Sequence, residues 1–410
     1  MNTVGIIAEY NPLHIGHASH LARIARTWPS ALRIVVMSGA FVQRGLPAFF
    51  DKMLRASAAL SAGADIVIEL PVAFSVRSAE HFAGGGIRML AALGIDAFSF
   101  GSEITNVDTL SDIAALLSNE AVVARQMDFL RQGLSYGTAL REALTEAHPE
   151  ALAVVTSSNA LLGIEYIRAV NKYNLDLIPL PVSRDGNHKS LLLGDASPSG
   201  TALRDALSRY KDADTPEAKC AVLQSAAPYI PEPVLPLVER ALNEGAFSSL
   251  SRYYDLIRFA GLTGTPQRLE RYGNFSEGLE NRWLKAADYP TWSEGRRFLK
   301  SKRYSYARLD RMATYTVLGL TKECLTAATE SGPLYARLLG CSDAGRDWLR
   351  YNDASIPIIQ KWAPFVKSSE GLTKRLAVAD TLATDIQRMT FVSPSARRGK
   401  TDFTSSPLFP

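Results

Sequence analysis

The stretch that decides the fold is Gly5-Ile6-Ile7-Ala8-Glu9-Tyr10-Asn11-Pro12-Leu13-His14-Ile15-Gly16-His17-Ala18-Ser19-His20. Its apolar start predicts a buried strand, Asn11-Pro12 marks a turn, and the residues from Gly16 are typical of a helix. A strand that leads into a helix N-terminus offers free backbone N–H groups and a partial positive charge to an anion. Gly16 lets a phosphate approach the backbone, and the imidazoles of His14 and His17 can donate hydrogen bonds to it. The pattern therefore predicts a nucleotide phosphate site.

Two other interpretations of these histidines stay open. A histidine beside a turn is more often a satisfied polar residue than a ligand, although two histidines around one glycine are less common by chance. Zinc is the second interpretation. It is weakened because no cysteine and no nearby helix with carboxylates completes a ligand set, so we expect no metal site.

Composition describes an ordinary globular chain. Its 410 residues suffice for two or three domains, and 47% of them are hydrophobic against 21% charged. The first residues carry no basic segment, and no apolar stretch approaches the roughly 18 residues of a membrane helix, so we expect neither a signal peptide nor a membrane span. Cys220, Cys324 and Cys341 are far apart, which favours free thiols and a cytoplasmic location.

Charge divides the chain into two unlike halves. Residues 1–200 hold 15 Lys and Arg against 18 Asp and Glu, whereas residues 201–410 hold 30 against 23. All six histidines lie in the first half, and four of the five tryptophans lie in the second. The first half therefore favours a small-molecule site, and the second favours a surface for an anionic partner.

Short apolar runs alternate with helical patterns over the first half. Continuous runs, typical of strands buried on both faces, are at residues 4–8, 33–37, 66–70, 97–101 and 177–182. This alternation predicts an α/β, Rossmann-like domain with a parallel sheet over residues 1–210, with a helical insertion near 106–150. We expect a Pro-rich linker at 211–236, a mostly helical region at 237–392 and a disordered tail at 393–410.

Two further groups in the first half are candidates for anion binding. Ser199, Thr201 and Arg204 lie at a predicted helix start, where they could hold the β- and γ-phosphates of a nucleotide, although a plain helix cap gives the same pattern. Lys52 and Arg55, with Gln43-Arg44 nearby, could hold a small carboxylate, although a lysine on a helix is more often simply exposed.

The second half contains a basic segment rich in aromatic residues. Residues 282–311 hold nine Lys and Arg against three acids. Basic groups neutralise phosphates and aromatic rings stack on unpaired bases, so this segment is a candidate for RNA contact. Aromatic residues at helical spacing are, however, more often core, and charge runs are usually solvated. The candidate RNA-binding residues are Arg296, Arg297, Lys300, Lys302, Arg303 and Arg308.

These motifs resemble those of a known superfamily. The run from Gly5 to His17 and the later Ser199–Arg204 resemble the nucleotidyltransferases with a His-x-Gly-His signature. The finer resemblance is to the bacterial tRNA(Met) cytidine acetate ligase family, over nearly the whole chain. The blocks that carry it are residues 9–17, 37–39, 43–47, 66–71, 100–103, 159–163, 184 and 302–311. This chain has Leu13 and Ile15 where that family usually has Phe and Asn.

The resemblance implies a two-step reaction. Acetate attacks the α-phosphate of ATP, giving acetyl-adenylate and pyrophosphate. The wobble cytidine of elongator methionine tRNA then takes the acetyl group on its exocyclic amine, which forms N4-acetylcytidine and releases AMP. Mg²⁺ is expected with ATP. His14 and His17 would be catalytic, and the implied ATP site consists of Ile7, Ala8, Glu9, Tyr10, Asn11, Pro12, Leu13, His14, Ile15, Gly16, His17, Ala18, Ser19, His20, Gly101, Asn159 and Arg184, with Ser199, Thr201 and Arg204 at the later helix start.

Two other functions are weighed against this one. A small-metabolite adenylyltransferase, joining ATP to a phosphorylated acceptor, uses the same first motif but gives no role to the basic second half. A non-enzymatic module that binds ATP or RNA is disfavoured because His14, Gly16 and His17 are intact. A class I aminoacyl-tRNA synthetase is disfavoured because no Lys-Met-Ser-Lys-Ser-like loop is present.

Overall fold

The computed structural model describes residues 2–134, 136–145, 148–183, 199–275 and 278–410. Within these ranges the strands are β1 (Thr3–Ala8), β2 (Leu32–Ser38), β3 (Phe41–Val42), β4 (Leu46–Pro47), β5 (Ile66–Leu70), β6 (Ala97–Ser102), β7 (Ile178–Ser183), β8 (Ala336–Cys341) and β9 (Ile358–Ile359). The helices of the first half are α1 (Ile15–Thr27), α2 (Lys52–Ser61), α3 (Val72–Ser75), α4 (Ala79–Ala92), α5 (Val107–Leu116), α6 (Glu120–Arg131), α7 (Tyr136–Thr145), α8 (Pro149–Thr156) and α9 (Ser158–Lys172).

The second half is mostly helical, as its sequence predicts. Short 3₁₀ turns connect several of its elements. The helices are α10 (Gly200–Ser208), α11 (Pro216–Ala226), α12 (Leu235–Asn243), α13 (Leu250–Leu262), α14 (Pro266–Glu270), α15 (Leu279–Ala287), α16 (Trp292–Leu299), α17 (Tyr306–Leu318), α18 (Lys322–Ser331), α19 (Asp343–Tyr351), α20 (Trp362–Ser368) and α21 (Gly371–Met389). Among the described helices, none is long and apolar enough to cross a bilayer.

A seven-stranded sheet in the order β7-β6-β1-β2-β5-β8-β9 forms the centre of the fold, and its first five strands are parallel. The five strands predicted from apolar runs are confirmed, and α5 to α8 form the predicted helical insertion. After β1 the chain moves through α1 to β2 on one side, while β6 pairs with β1 on the other side. The strand order therefore reverses at β1, and a crevice opens beyond its carboxyl end, where open α/β sheets bind their ligands.

The expected linker at 211–236 is wrong, because this segment is folded. It contains α11 and three 3₁₀ turns, and Ala226, Ile230 and Val234 are buried in the core beneath β1. Ala226 ends α11, Ile230 follows the next 3₁₀ turn and Val234 ends the last one, so each short element contributes one apolar residue to the core. The prolines suggested a linker, but Pro216 occupies the first turn of α11, where a missing N–H costs no hydrogen bond.

The expected boundary between a sheet domain and a helical region also needs correction. Strand β8 comes from the second half and pairs antiparallel with β5, and β9 extends the sheet beyond it. All six residues of β8 are buried. One sheet thus joins the two halves of the chain, and the region at 237–392 is not a separate unit.

The expected disordered tail at 393–410 is ordered in the structure. Leu408 exchanges backbone hydrogen bonds of 2.9 Å with Leu339 and Cys341 at the edge of β8. Asp402 is only 2% exposed. The tail is ordered because Asp402 and Leu408 both have partners inside the protein. Its composition, which is rich in Ser and Pro, does not indicate these contacts.

Asp402 belongs to a buried ionic cluster with Lys52, Glu69 and Arg337. The Nζ of Lys52 lies 2.9 Å from carboxylate oxygens of both Glu69 and Asp402, and Arg337 donates to Asp402 at 2.8 Å. Burial raises the pKa of Asp402, but Lys52 and Arg337 outweigh it and lower that pKa to about 2. Because the pKa is depressed in the folded protein, the stability from this group is present above pH 4 and is lost as pH falls toward 2.

The cluster makes a first prediction. Asp402→Asn should lower the free energy of unfolding by about 3–5 kcal/mol at pH 7, because it leaves Lys52 and Arg337 buried with one carboxylate. Chemical denaturation measures this loss. As a control, Asp343→Asn removes an ion pair that is largely exposed and should cost at most about 1 kcal/mol. Equal unfolding midpoints for the two variants would show that the tail adds no stability.

Candidate active site

The start of α1 is built from the side chains of two histidines. His14 is the N-cap, and its Nδ1 accepts the backbone N–H of Gly16 at 3.1 Å. The Nδ1 of His17 accepts the backbone N–H of His14 at 3.3 Å, so the two residues form a reciprocal capping box. These contacts satisfy two of the backbone donors that every helix leaves unpaired at its N-terminus.

The capping contacts determine which nitrogen of each ring carries a proton. An Nδ1 that accepts a hydrogen bond has no hydrogen, so the hydrogen-bond network assigns the proton of each neutral ring to Nε2. The rings of His14 and His17 stack with centroids 3.7 Å apart, and Tyr10 contacts His17 edge-on at 5.0 Å. The start of α1 thus presents two parallel imidazole N–H donors together with the helix dipole, which is an arrangement for binding phosphate.

A cleft with two lobes surrounds these rings. The strand-end lobe, about 630 Å³, lies beyond the carboxyl ends of β1, β6 and β7. The hairpin lobe, about 570 Å³, lies between the β3–β4 hairpin, the start of α10 and the start of α13. Five residues line both lobes and mark their boundary, namely Glu9, Tyr10, His17, Arg44 and Asn159.

The structure brings most of the predicted ATP-site residues to this cleft. Pro12, Leu13 and Ala18 line neither lobe, and Leu13 is buried in the core. Arg184 lies outside the described residues. The predicted residues that do line the cleft are Ile7, Ala8, Glu9, Tyr10, Asn11, His14, Ile15, Gly16, His17, Ser19, His20, Gly101, Asn159, Ser199, Thr201 and Arg204.

The start of α10 forms one wall of the hairpin lobe. Ser199 caps this helix by accepting the N–H of Ala202, and Arg204 donates to the hydroxyl of Thr201 at 3.0 Å and to the carbonyl of Asn11 at 2.5 Å. Burial lowers the pKa of the Arg204 guanidinium, and the negative charge of Glu9 opposes this shift in part. The arginine stays charged at neutral pH. Both the cap and the anion site predicted from the sequence are therefore compatible with the geometry.

His20 is positioned differently from the other two histidines. Its Nε2 lies 2.8 Å from the hydroxyl of Ser99, which donates to the carbonyl of Leu180. His20 therefore connects α1 to β6 and β7 in the wall of the strand-end lobe.

The candidate carboxylate site at Lys52 and Arg55 is wrong. Both side chains are 1% exposed. Lys52 is held in the ionic cluster described above. Arg55 donates to the carbonyls of Glu9 at 2.8 Å, Ser38 at 2.9 Å and Phe50 at 3.1 Å, so its guanidinium is used by the backbone. Burial lowers the pKa of Arg55 to about 10. Of that group, Arg44 and Gln43 do line the cleft.

Sequence reasoning did not find the wall formed by α13. Phe247 and Ser248–Ser251 line the hairpin lobe, with Ser249 as the N-cap of α13. The serines ahead of an amphipathic helix are a signal for a helix start. They carry no signal for a ligand, because they reach the cleft beside α1 only through the tertiary fold.

The candidate RNA-binding residues divide into exposed and structural groups. Arg297, Lys300 and Lys302 are exposed, and Arg303 is half-buried. Arg296 pairs with the buried Asp310 at 2.6 Å, and burial raises the pKa of that carboxyl. Arg308 stacks on Tyr304, with its guanidinium carbon 4.7 Å from the ring centre.

The aromatic residues of the basic segment divide in the same way. Trp283, Trp292 and Tyr304 are buried in the core. Tyr289 and Phe298 lie on the surface with centroids 5.4 Å apart, and Tyr306 is 42% exposed. The basic surface, defined by Arg297, Lys300, Lys302, Tyr289, Phe298 and Tyr306, therefore displays both cations and rings. The rest of the segment builds the fold.

No group of three His, Cys, Asp or Glu side chains that could hold a metal ion occurs in the described part of the chain. The cleft itself contains Glu9 in both lobes and Asp205 at the rim of the hairpin lobe.

Comparisons with known proteins agree on one family. The model of the HIGH nucleotidyl transferase family matches residues 1–402. A tRNA(Met) cytidine acetate ligase of Lysinibacillus sphaericus is 35% identical over 88% of this chain and 90% of its own length. The enzyme of the same name from Acetivibrio thermocellus is 33% identical over 99% of both chains.

Solved structures agree with the sequence comparisons. A crystal structure of Thermotoga maritima TmcAL bound with alpha-thio ATP superposes with a TM-score of 0.89 at 29% identity, over 100% of this chain and 99% of that one. The apo form of the same protein gives a TM-score of 0.90 at 28% identity, with the same coverage. The chain belongs to the HIGH nucleotidyltransferases and, within them, to the tRNA(Met) cytidine acetate ligase family.

Proposed function

We propose that this chain is an ATP-dependent ligase that acetylates the wobble cytidine of elongator methionine tRNA. The observation that carries the proposal is the stacked pair of imidazoles, His14 and His17, that caps α1 in a cleft at the reversal point of the sheet. Its reaction has two steps, in which acetate first becomes acetyl-adenylate and the acetyl group then passes to the amine of cytidine. The relatives that carry this name span the chain almost completely, which supports a role for both halves.

In the first step an oxygen of acetate bonds to the α-phosphorus, and the bond to the β-phosphate oxygen breaks. Negative charge grows on the phosphoryl oxygens and on the departing pyrophosphate. His14 and His17 donate to the α-phosphate, and Ser199, Thr201 and Arg204 at the start of α10 hold the β- and γ-phosphates. These donors are fixed before the reaction, so they stabilise the transition state without reorganising. The adenosine occupies the strand-end lobe beside Gly101 and Asn159.

Mg²⁺ accompanies the triphosphate in this proposal. Mg²⁺ usually binds through substrate phosphates and one or two carboxylates, and the described residues offer no closed cage of protein ligands. We place the reaction in the cytoplasm, where tRNA is available and where three unpaired cysteines remain reduced.

The proposal predicts a defined product. Incubation with labelled acetate, ATP and total tRNA should put acid-stable label into tRNA and release AMP, and omission of ATP should abolish the label. Nucleoside digestion followed by chromatography would identify N4-acetylcytidine. Turnover on a phosphorylated small acceptor, with unlabelled tRNA, would instead support an adenylyltransferase.

The two imidazoles can be tested without disturbing the helix. Asn is a good N-cap and Gln is a common third residue of a capping box, so His14→Asn and His17→Gln keep the start of α1. Each variant removes one donor to the α-phosphate, and we expect acetate-dependent ATP–pyrophosphate exchange to fall about 100-fold or more. Thermal unfolding should stay within a few degrees of the unaltered chain. Exchange at the original rate would remove the imidazoles from the mechanism.

The basic surface makes a separate prediction. The double variant Arg297→Glu, Lys302→Glu should raise the KM for tRNA at least 10-fold and weaken its salt dependence, because fewer phosphates are neutralised. The exchange rate without tRNA should not change. Reversing Lys361 and Lys367, which are exposed on and beside α20, is the matched control and should leave both parameters alone. Unaltered tRNA kinetics in the first variant would place this surface outside the interface.

A further inference from the structure

Glu9 is the carboxylate that lines both lobes of the cleft. One of its oxygens accepts the backbone N–H of Gln43 at 2.8 Å, which fixes the side chain against the turn of the β3–β4 hairpin. Among the described residues, its second oxygen makes no hydrogen bond. The other carboxylate at the cleft, Asp205, pairs with Arg209 at 3.1 Å on the surface. Of the carboxylates that the described residues bring to the cleft, Glu9 is therefore the one that lines both lobes with an oxygen that has no hydrogen-bond partner.

Transfer of an acyl group to an aromatic amine requires a proton acceptor. The amine bears hydrogens when it attacks the carbonyl carbon, and one of them must leave before the product is neutral. His14 and His17 are poor candidates, because their Nδ1 atoms accept backbone N–H groups, which places the proton of each neutral ring on Nε2. Of the groups at the boundary between the lobes, Glu9 has the basic atom that this step needs.

One side of the hairpin lobe is not used by the phosphates in the proposed function. The start of α10 holds the pyrophosphate on one side. The opposite side is formed by the β3–β4 hairpin and by the start of α13, including Leu46, Phe49 and Leu250. A lobe of about 570 Å³ is within the usual range for a small-molecule site, and its mixed lining of apolar and polar side chains suits a planar base with polar edges. Glu9 faces this second wall because it is bound to the hairpin.

The same hairpin packs against the helical half of the chain. The hydroxyl of Thr314 in α17 donates to the carbonyl of Gly45 at 2.7 Å, and a Cβ at Gly45 would meet the backbone of Arg311 at 2.5 Å. Helix α17 also carries Tyr306 of the basic surface at its first turn. The hairpin thus contacts both the cleft and the helix that carries Tyr306. Entry of an acceptor nucleotide into the lobe requires its extrusion from an RNA loop. The cost of extrusion is small when the base is already unpaired.

We propose that the hairpin lobe receives the acceptor nucleoside and that Glu9 is the general base for acetyl transfer. This inference rests on the proposed function. In the step, the amine nitrogen bonds to the acetyl carbon, and the bond from that carbon to the phosphate oxygen breaks. AMP leaves with the electron pair of the broken bond, and the proton of the amine passes to the carboxylate of Glu9.

The test separates the two chemical steps in the full chain. Glu9→Gln keeps an amide oxygen for the N–H of Gln43 and removes the basic oxygen. We expect single-turnover transfer to a methionine tRNA transcript to be at least 100-fold slower, and this loss to exceed any loss in acetate-dependent ATP–pyrophosphate exchange. Asp128→Asn, on a distant surface, is the control for removal of a carboxylate and should change neither rate.

Other outcomes would overturn either the role of Glu9 alone or the proposed function as well. Transfer by Glu9→Gln at the original rate, or an equal loss of exchange and transfer, would overturn the role of Glu9 as base while leaving the proposed function intact. A lack of acetate-dependent exchange in the unaltered chain would overturn the proposed function and this inference with it.

A pair of variants on α13 tests where the acceptor nucleoside binds. Leu250→Trp narrows the hairpin lobe at the wall formed by α13 and should raise the KM for tRNA at least 10-fold, a larger effect than any loss of exchange. Leu262→Trp, about 18 Å away at the other end of the same helix, should leave both unchanged. Both leucines are exposed, so neither substitution disturbs the core. An unchanged KM in Leu250→Trp would place the acceptor elsewhere.

Discussion

The cleft depends on two hydrogen bonds that most helix starts do not have, in which imidazole Nδ1 atoms accept backbone N–H groups. The bonds from Gly16 to His14 and from His14 to His17 hold both rings in one orientation. They also decide the tautomer, so that Nε2 of each ring is a donor. A helix N-terminus attracts anions through its dipole alone, but the two rings add directed donors whose positions are fixed by the backbone itself. The contacts that cap the helix therefore also set the orientation and the tautomer of both rings.

Buried cations hold the strand ends that carry this helix. Arg55 binds carbonyls at the ends of both β1 and β2, so the loops that leave these strands share one guanidinium. Lys52, one turn earlier on α2, connects the end of β5 to the tail through Glu69 and Asp402. Such groups are costly to bury unless every donor is used, and here carbonyls and carboxylates use them. Their burial also explains why neither cation is available to a substrate.

The sequence predicts the parts of this molecule whose signals are local. The apolar runs give the five parallel strands, and the order of strand, turn and His-x-Gly-His gives the start of α1 at the cleft. What it does not predict depends on distant partners. Lys52 and Arg55 look like surface cations until their acceptors are brought together by the fold. Strand β8 is short and apolar within a helical region, and only its pairing with β5 reveals it. Asp402 sits in a segment whose composition resembles a flexible tail.

The joining of the two halves bears directly on how RNA and nucleotide meet. A helical module attached through a linker would leave the distance between a tRNA surface and the phosphate site to the flexibility of that linker. Here β8 lies within the sheet, the tail is anchored at Asp402, and α17 contacts the β3–β4 hairpin at Gly45. The hairpin is thus a shared wall between the cleft and the helical half. Because that wall is packed on both sides, its residues are ordered when the chain folds and need no further ordering when a ligand binds.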